Sequence, residues 1–136
     1  MTGPEKWARL EESLGGVFGV AAFRAADHLV ECVRKPHRNR LVIEVYVDGW
    51  IKGEWSKADE NGEPVHAEGK FWRPYRSRSF PLKEHAKLKR ALGKKKADQM
   101  TALKTVAFMP IWNSPRTLVR HLKKHFPDLE LIGEGI

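Results

Sequence analysis

Apolar positions along the chain change period several times, and each change marks an element. Trp7, Leu10 and Leu14 fall at i, i+3 and i+7 with charges between them, the spacing of a short amphipathic helix over residues 5–14 that Gly15-Gly16 ends. An apolar, glycine-containing run at 17–23 and a branched run at 29–35 (Leu-Val-Glu-Cys-Val-Arg-Lys) read as strands. Pro36-His37-Arg38-Asn39 is a polar turn, after which 40–47 resumes with period two. Asp48-Gly49 is the strongest local signal, because a two-residue type I′ turn needs positive φ at both central positions and this pair tolerates it. The hairpin it predicts sets Val47 opposite Trp50, Tyr46 opposite Ile51 and Val42 opposite Trp55. Val42, Tyr46, Ile51 and Trp55 would then share one face, with Leu41, Ile43, Val45 and Val47 on the other, as in the middle of a covered sheet.

Residues 56–69 are polar, acidic and turn-rich, and read as a mobile loop. Residues 70–80 are extended, but Pro74 confines them to an edge or bulged strand. Pro81 opens a helix over 82–92 with Leu88, Ala91 and Leu92 inward and Lys83, Lys87, Arg90 and Lys94 outward. A further apolar strand covers 105–112. Ser114-Pro115 then supplies an N-cap and a first-turn proline for a last helix to about His125, which Pro127 stops. Helix, about four strands, helix, strand, helix predicts an α+β fold: an antiparallel sheet of about four to five strands with two to three helices packed on it. At 136 residues, 1–136 is a single domain with one core. There is no internal repeat, and no low-complexity tract beyond Lys94-Lys95-Lys96.

Charge changes this picture more than composition does. Residues 70–96 hold eleven of the twenty-five Lys and Arg residues against one carboxylate, Glu84, a formal +10 that leaves −2 for everything else. Like charge held this close repels itself, and a nucleic acid that releases condensed counterions turns that cost into binding free energy. No apolar run approaches the roughly 20 residues of a membrane span, so no membrane partner is expected. The first residues lack the basic-then-apolar order of a signal peptide, and the single cysteine, Cys32, sits in a strand-like run; both suggest a reducing, cytoplasmic setting. Cys32 reads as a buried small hydrophobe.

Within 70–80, four cations alternate with four aromatics, the mixture in which rings stack on unpaired bases and Arg pairs with phosphate. The rings have a competing use: Phe71, Trp72 and Phe80 suit a core, since five tryptophans in so small a domain must mostly be buried. The glycine of an RRM signature is missing. On the last helix, Arg116, Arg120 and Lys124 form a stripe at i, i+4 and i+8, which fits phosphate contact or a solvated amphipathic helix. The candidate nucleic-acid-binding residues are Lys70, Arg73, Tyr75, Arg76, Arg78, Lys83, Lys87, Arg90, Lys94, Lys95, Lys96, Arg116 and Arg120.

Other chemistries are poorly supplied. His121 and His125 are four apart and both reach one side of the last helix, but no zincin Glu or Cys partner accompanies them, and no metal or other cofactor is expected. Gly15-Gly16-Val17-Phe18-Gly19 matches neither a P-loop nor a dinucleotide fingerprint. The nearest approach to catalysis is nuclease-like: Glu68 with Asp48 or Asp59 for Mg²⁺, and Lys70 to orient the water. Acid-x-Lys triplets arise by chance in any chain this charged, so no catalytic residue is assigned.

Gly16-Val17-Phe18-Gly19; Val45-Tyr46-Val47-Asp48-Gly49 with Lys52-Gly53-Glu54-Trp55; Phe71-Trp72-Arg73-Pro74; and Ile111-Trp112-Asn113-Ser114 running into Leu118-Val119-Arg120-His121-Leu122 together resemble a group of small uncharacterised proteins of tailed bacteriophages and prophages. The resemblance implies a phage or prophage origin and action in the cytoplasm of a bacterial host; it brings no catalytic residues. The expected function is nucleic-acid binding without base specificity. The alternative is a phage-encoded inhibitor of a host protein of nucleic-acid metabolism or defence, such as a CRISPR or restriction component. A Mg²⁺-dependent nuclease comes third.

Overall fold

The computed structural model describes residues 3–78, 82–102 and 104–134. Helix α1 (Gly3–Ser13) leads into an antiparallel meander of β1 (Val20–Ala25), β2 (His28–His37) and β3 (Arg40–Val47). After β3 come two 3-10 helices (Gly53–Ser56 and Ala67–Phe71), then β4 (Arg73–Arg78), α2 (His85–Leu92), α3 (Lys94–Ala102), β5 (Lys104–Met109), β6 (Ile111–Trp112), α4 (Pro115–His125) and β7 (Glu130–Glu134). The main sheet has the order β6-β3-β2-β1-β7, and β4 with β5 forms a separate two-stranded ribbon. The fold is α+β, as the pattern of apolar positions predicts.

Asp48 and Gly49 adopt the left-handed φ values of 53° and 83°, and Val47 and Trp50 exchange both backbone hydrogen bonds. The Asp48 carboxylate accepts from the Leu29 amide at 3.0 Å and lies 2.7 Å from His28 Nδ1, so this turn is clamped to the start of β2. The hairpin stops there. Tyr46–Ile51 and Val42–Trp55 do not pair, because the chain after Trp50 leaves the sheet and coils into the 3-10 helix that buries Trp55 edge-on against Trp72, with ring centroids 5.7 Å apart. Beyond β3 the sheet is extended instead by β6, with Ile43 opposite Trp112.

One face of the sheet supplies Phe23, Val30, Cys32, Ile43, Val45 and Val47 to a single core, closed by Leu10 and Leu14 from the α1 region and by Leu118, Val119 and Leu122 of α4. Lys6 Nζ reaches the Pro127 carbonyl at 2.8 Å and ties the two helices' ends together. Cys32 is fully buried there, and burial pushes its thiol pKa up to about 12. On the other face a polar row, Lys35 to Glu44 at 2.6 Å and Glu44 to the Tyr46 hydroxyl, takes the place of the continuous apolar surface expected of a doubly covered strand.

Three further elements differ from expectation. Residues 56–69 carry structure of their own: Ala58 bridges to Pro64, and Asp59 Oδ1 accepts the amides of Asn61 and Glu63 in a tight side-chain turn. The segment expected as one strand over 105–112 bends at Pro110, whose carbonyl accepts from Val45, so that β5 pairs with β4 while β6 pairs with β3. The helix over 82–92 is not packed on the sheet. It begins with a 3-10 turn (Leu82–Glu84), and Gly93 at φ 88° reverses the chain into α3, a helix the lysine run concealed. Helices α2 and α3 pack mainly on each other and on that turn, joined by His85 Nε2 and Asp98 Oδ1 at 2.6 Å, with Ala97 the one residue of the pair described as buried. This helix pair, the arm, lies in the chain between the two strands of the ribbon.

Candidate nucleic-acid interface

The arm concentrates charge because little else recommends its sequence. Lys83, Lys87, Lys89, Arg90, Lys94, Lys95 and Lys96 are all exposed, against Glu84 and the His85-engaged Asp98. Lys94, Lys95 and Lys96 form the first turn of α3, which has no acidic residue. Cations are the wrong sign for a helix N-terminus, where the macrodipole and unpaired amides favour an anion, and no carboxylate of the first turn offsets them. The stripe expected to run from Lys83 through Lys94 on one helix is broken at Gly93: Lys83 to Arg90 belong to one limb of the hairpin and Lys94 to the other.

The arginines of β4 divide between its faces. Pairing along the ribbon sets Arg73 opposite Met109, Pro74 opposite Phe108 and Arg76 opposite Val106, and strand alternation sends neighbours to opposite sides. Arg73 and Tyr75 share one side: Arg73 Nε donates to the Ile111 carbonyl at 3.1 Å, and its guanidinium lies 5.8 Å from the Tyr75 ring centre. Arg76 is on the other side with Pro74. The surface expected to unite Arg73, Arg76 and Arg78 therefore splits at its first member. Arg78 occupies the last ladder position of β4, opposite Lys104; its side chain lies outside the described residues.

The aromatics of 70–80 sort by the same geometry. Phe71 and Trp72 are core residues, 0% and 1% exposed, while Tyr75 is 47% exposed and is the one described ring of this segment that a base can reach. Phe80 lies outside the described residues. Phe71 stacks face to face on Phe126 with centroids 4.3 Å apart, which joins the segment to the end of α4.

Helix α4 forms as its sequence dictates. Ser114 Oγ accepts from the Thr117 amide at 3.2 Å, Pro115 opens the first turn, and Leu118, Val119 and Leu122 face the core. Arg116, Arg120 and Lys124 are exposed along it. His121 is half-buried between the Trp112 and His125 rings, at 4.9 and 4.4 Å, and its Nε2 donates to the Lys70 carbonyl at 2.7 Å. Burial holds the His121 pKa below its ordinary value; the Lys70 carbonyl opposes that shift, and His125 and Lys124 add to it.

Between α4, β4 and the 56–69 segment lies a cleft of about 470 Å³. Lys70, Arg76 and Lys124 reach it from three separate elements. No sequence spacing marks this cleft, because its cations are up to 54 positions apart along the chain.

Of the carboxylates considered for catalysis, Asp59 holds its own turn and Asp48 clamps β2, while Glu68 lies in the 3-10 helix at Ala67–Phe71. No group of three metal-capable side chains converges among the described residues, and among them no helix is long and apolar enough to cross a membrane. Comparison with protein-family models, with curated proteins and with solved structures gives no match.

Proposed function

We propose that the protein binds nucleic acid through its phosphates, without base specificity, and that the α2–α3 arm makes the principal contact. The observation that carries this reading is the arm itself: a helix pair whose one buried residue among those described is Ala97, yet which presents seven exposed cations, three of them in the acid-free first turn of α3. A phosphate there gains the free amides, the dipole and the lysines together. Lysine point charges position a duplex or strand without reading its bases.

The test is the salt dependence of binding, followed by anisotropy with labelled duplex and single-stranded oligonucleotides. Affinity should fall by orders of magnitude from low to moderate salt. Replacing Lys87, Lys89, Arg90 and Lys95 by alanine together should lower the slope of log K on log salt by up to about 3.6 on duplex and about 2.8 on single strands. No detectable complex with any DNA or RNA at low ionic strength removes the reading.

A second reading, inhibition of a host protein by a phage-derived chain, is favoured by a different surface. Trp50 is 63% exposed beside Ile51 and Leu29 at the end of the β2–β3 hairpin, and exposed Trp is the residue type most enriched at protein interface hot spots. A stoichiometric partner recovered from nuclease-treated bacterial lysate, and lost with Trp50→Ala, supports it; an empty eluate opposes it.

A further inference from the structure

The cleft between α4 and β4 has chemistry that the arm lacks. Its rim carries Lys70 from the 3-10 helix, Arg76 from β4 and Lys124 from α4, with His121 and His125 beside them. The ion pairs of His28 with Asp48, Lys35 with Glu44 and His85 with Asp98 lie outside this cleft, and Glu63 is its one acidic lining residue. Lys124 and His125 at a helix C-terminus are ordinary dipole partners and need no ligand. Lys70 and Arg76 have no such reason to face them. The lining between these charges is apolar: Phe108, Pro74, Pro64 and the ring of Phe126, which Phe71 holds in a fixed plane.

A cationic rim over an apolar, aromatic-edged floor in a volume of this size suits an anion joined to a flat ring, rather than a bare phosphate or a greasy molecule. Strand β4 carries Arg76 into the cleft and continues through Arg78 toward the arm, so a polyanion lying along the arm is led to it. We infer that the cleft binds one nucleoside monophosphate unit, its phosphate held by Arg76, Lys70 and Lys124 and its base against Phe126 and His125. This rests on the nucleic-acid reading for the source of the unit, an unpaired residue or end of a bound strand; a free nucleotide offers the same chemistry.

Titrate the full-length protein, by calorimetry and by amide NMR shifts, with AMP, adenosine, inorganic phosphate, phenyl phosphate, a short single strand and a matched duplex. AMP should bind at least about tenfold more tightly than adenosine or phosphate, and shift His121, Lys124 and Arg76. The Arg76→Ala/Lys124→Ala variant should weaken AMP and the single strand by about tenfold or more while changing duplex affinity by no more than about twofold. The Lys87→Ala/Lys95→Ala variant should weaken both the duplex and the single strand while leaving AMP affinity within about twofold. Should the double variant lose its fold, Lys70→Ala replaces it, because the Lys70 side chain is exposed and only its carbonyl is engaged. AMP binding like AMP's two halves, or surviving both cleft variants, overturns the inference. Equal binding of phenyl phosphate with no gain for the single strand also overturns it and points to an aryl-phosphate ligand. AMP binding without a single-strand effect identifies the free nucleotide as the source. Duplex binding that depends on the arm while AMP fails to bind leaves the proposed function standing and removes the cleft alone.

Discussion

Gly69 is the point at which the 56–69 segment is pressed against the core, and replacing it with alanine tests that packing directly. A Cβ at this position would stand 2.7 Å from the Trp55 carbonyl oxygen and 3.1 Å from Pro64 Cβ. The nearer atom belongs to the main chain of the 3-10 helix at Gly53–Ser56, so it cannot rotate away; relief requires moving either that helix or the Lys70 turn, both locked by the Trp55–Trp72 contact. Overpacking of this kind costs about 1–3 kcal/mol, and the smaller conformational freedom of unfolded alanine returns about 0.4–1. The central values leave a net loss of about 1.3 kcal/mol, which lowers the melting temperature of a chain this size by roughly 4–5 °C. Gly53→Ala is the control: a Cβ there meets nothing within 4 Å. Thermal melts of both variants, followed by near-ultraviolet circular dichroism, should show Gly69→Ala melting lower, with its tryptophan band altered, and Gly53→Ala melting at or a few degrees above the parent. Gly69→Ala melting with or above Gly53→Ala refutes the account, since a Cβ held against a main-chain oxygen must melt lower than one that meets nothing.

His121 should make stability depend on pH. Its folded pKa lies below the ordinary 6.5, so the unfolded chain binds the proton more readily; stability is full above that value and declines as pH falls from there through the folded pKa. Denaturant titrations across this range should lose that slope in His121→Gln, and unchanged slopes would show that burial of the ring is not its source. Cys32, with its pKa near 12 and no exposure, should resist alkylation in the folded protein at about pH 8 and react once denaturant is added; rapid native-state labelling would contradict its place in the core.

Local rules were enough wherever a residue acts on its immediate neighbours. Asp48-Gly49 produces its turn, Ser114 caps α4, and Trp7, Leu10 and Leu14 mark the buried stripe of the α1 region. Rules failed where a partner lies far along the chain. Leu88, Ala91 and Leu92 have helical spacing, yet α2 buries none of its residues because the sheet is out of its reach. Lys94-Lys95-Lys96 conceals the start of α3, since charge runs and helix first turns look alike unless carboxylates mark the latter. Strand β7 escaped notice because its few residues form a strand only against β1, more than a hundred positions earlier. The cleft was invisible for the same reason: Lys70 and Lys124 meet through the fold, and His121 finds the Lys70 carbonyl fifty-one residues away.

Arg76 and Val106 are ladder partners, so the chain departs for the arm and returns from it at adjacent points. Everything between them is topologically an insertion whose ends already meet, and the entropy of closing a loop grows only slowly with its length. The arm can therefore be lengthened, shortened or exchanged for a tight turn without shifting the register of any strand in the main sheet, while Phe108 below that point remains in the core. Selection on what the protein grips and selection on how it folds can thus act on separate stretches of one short chain.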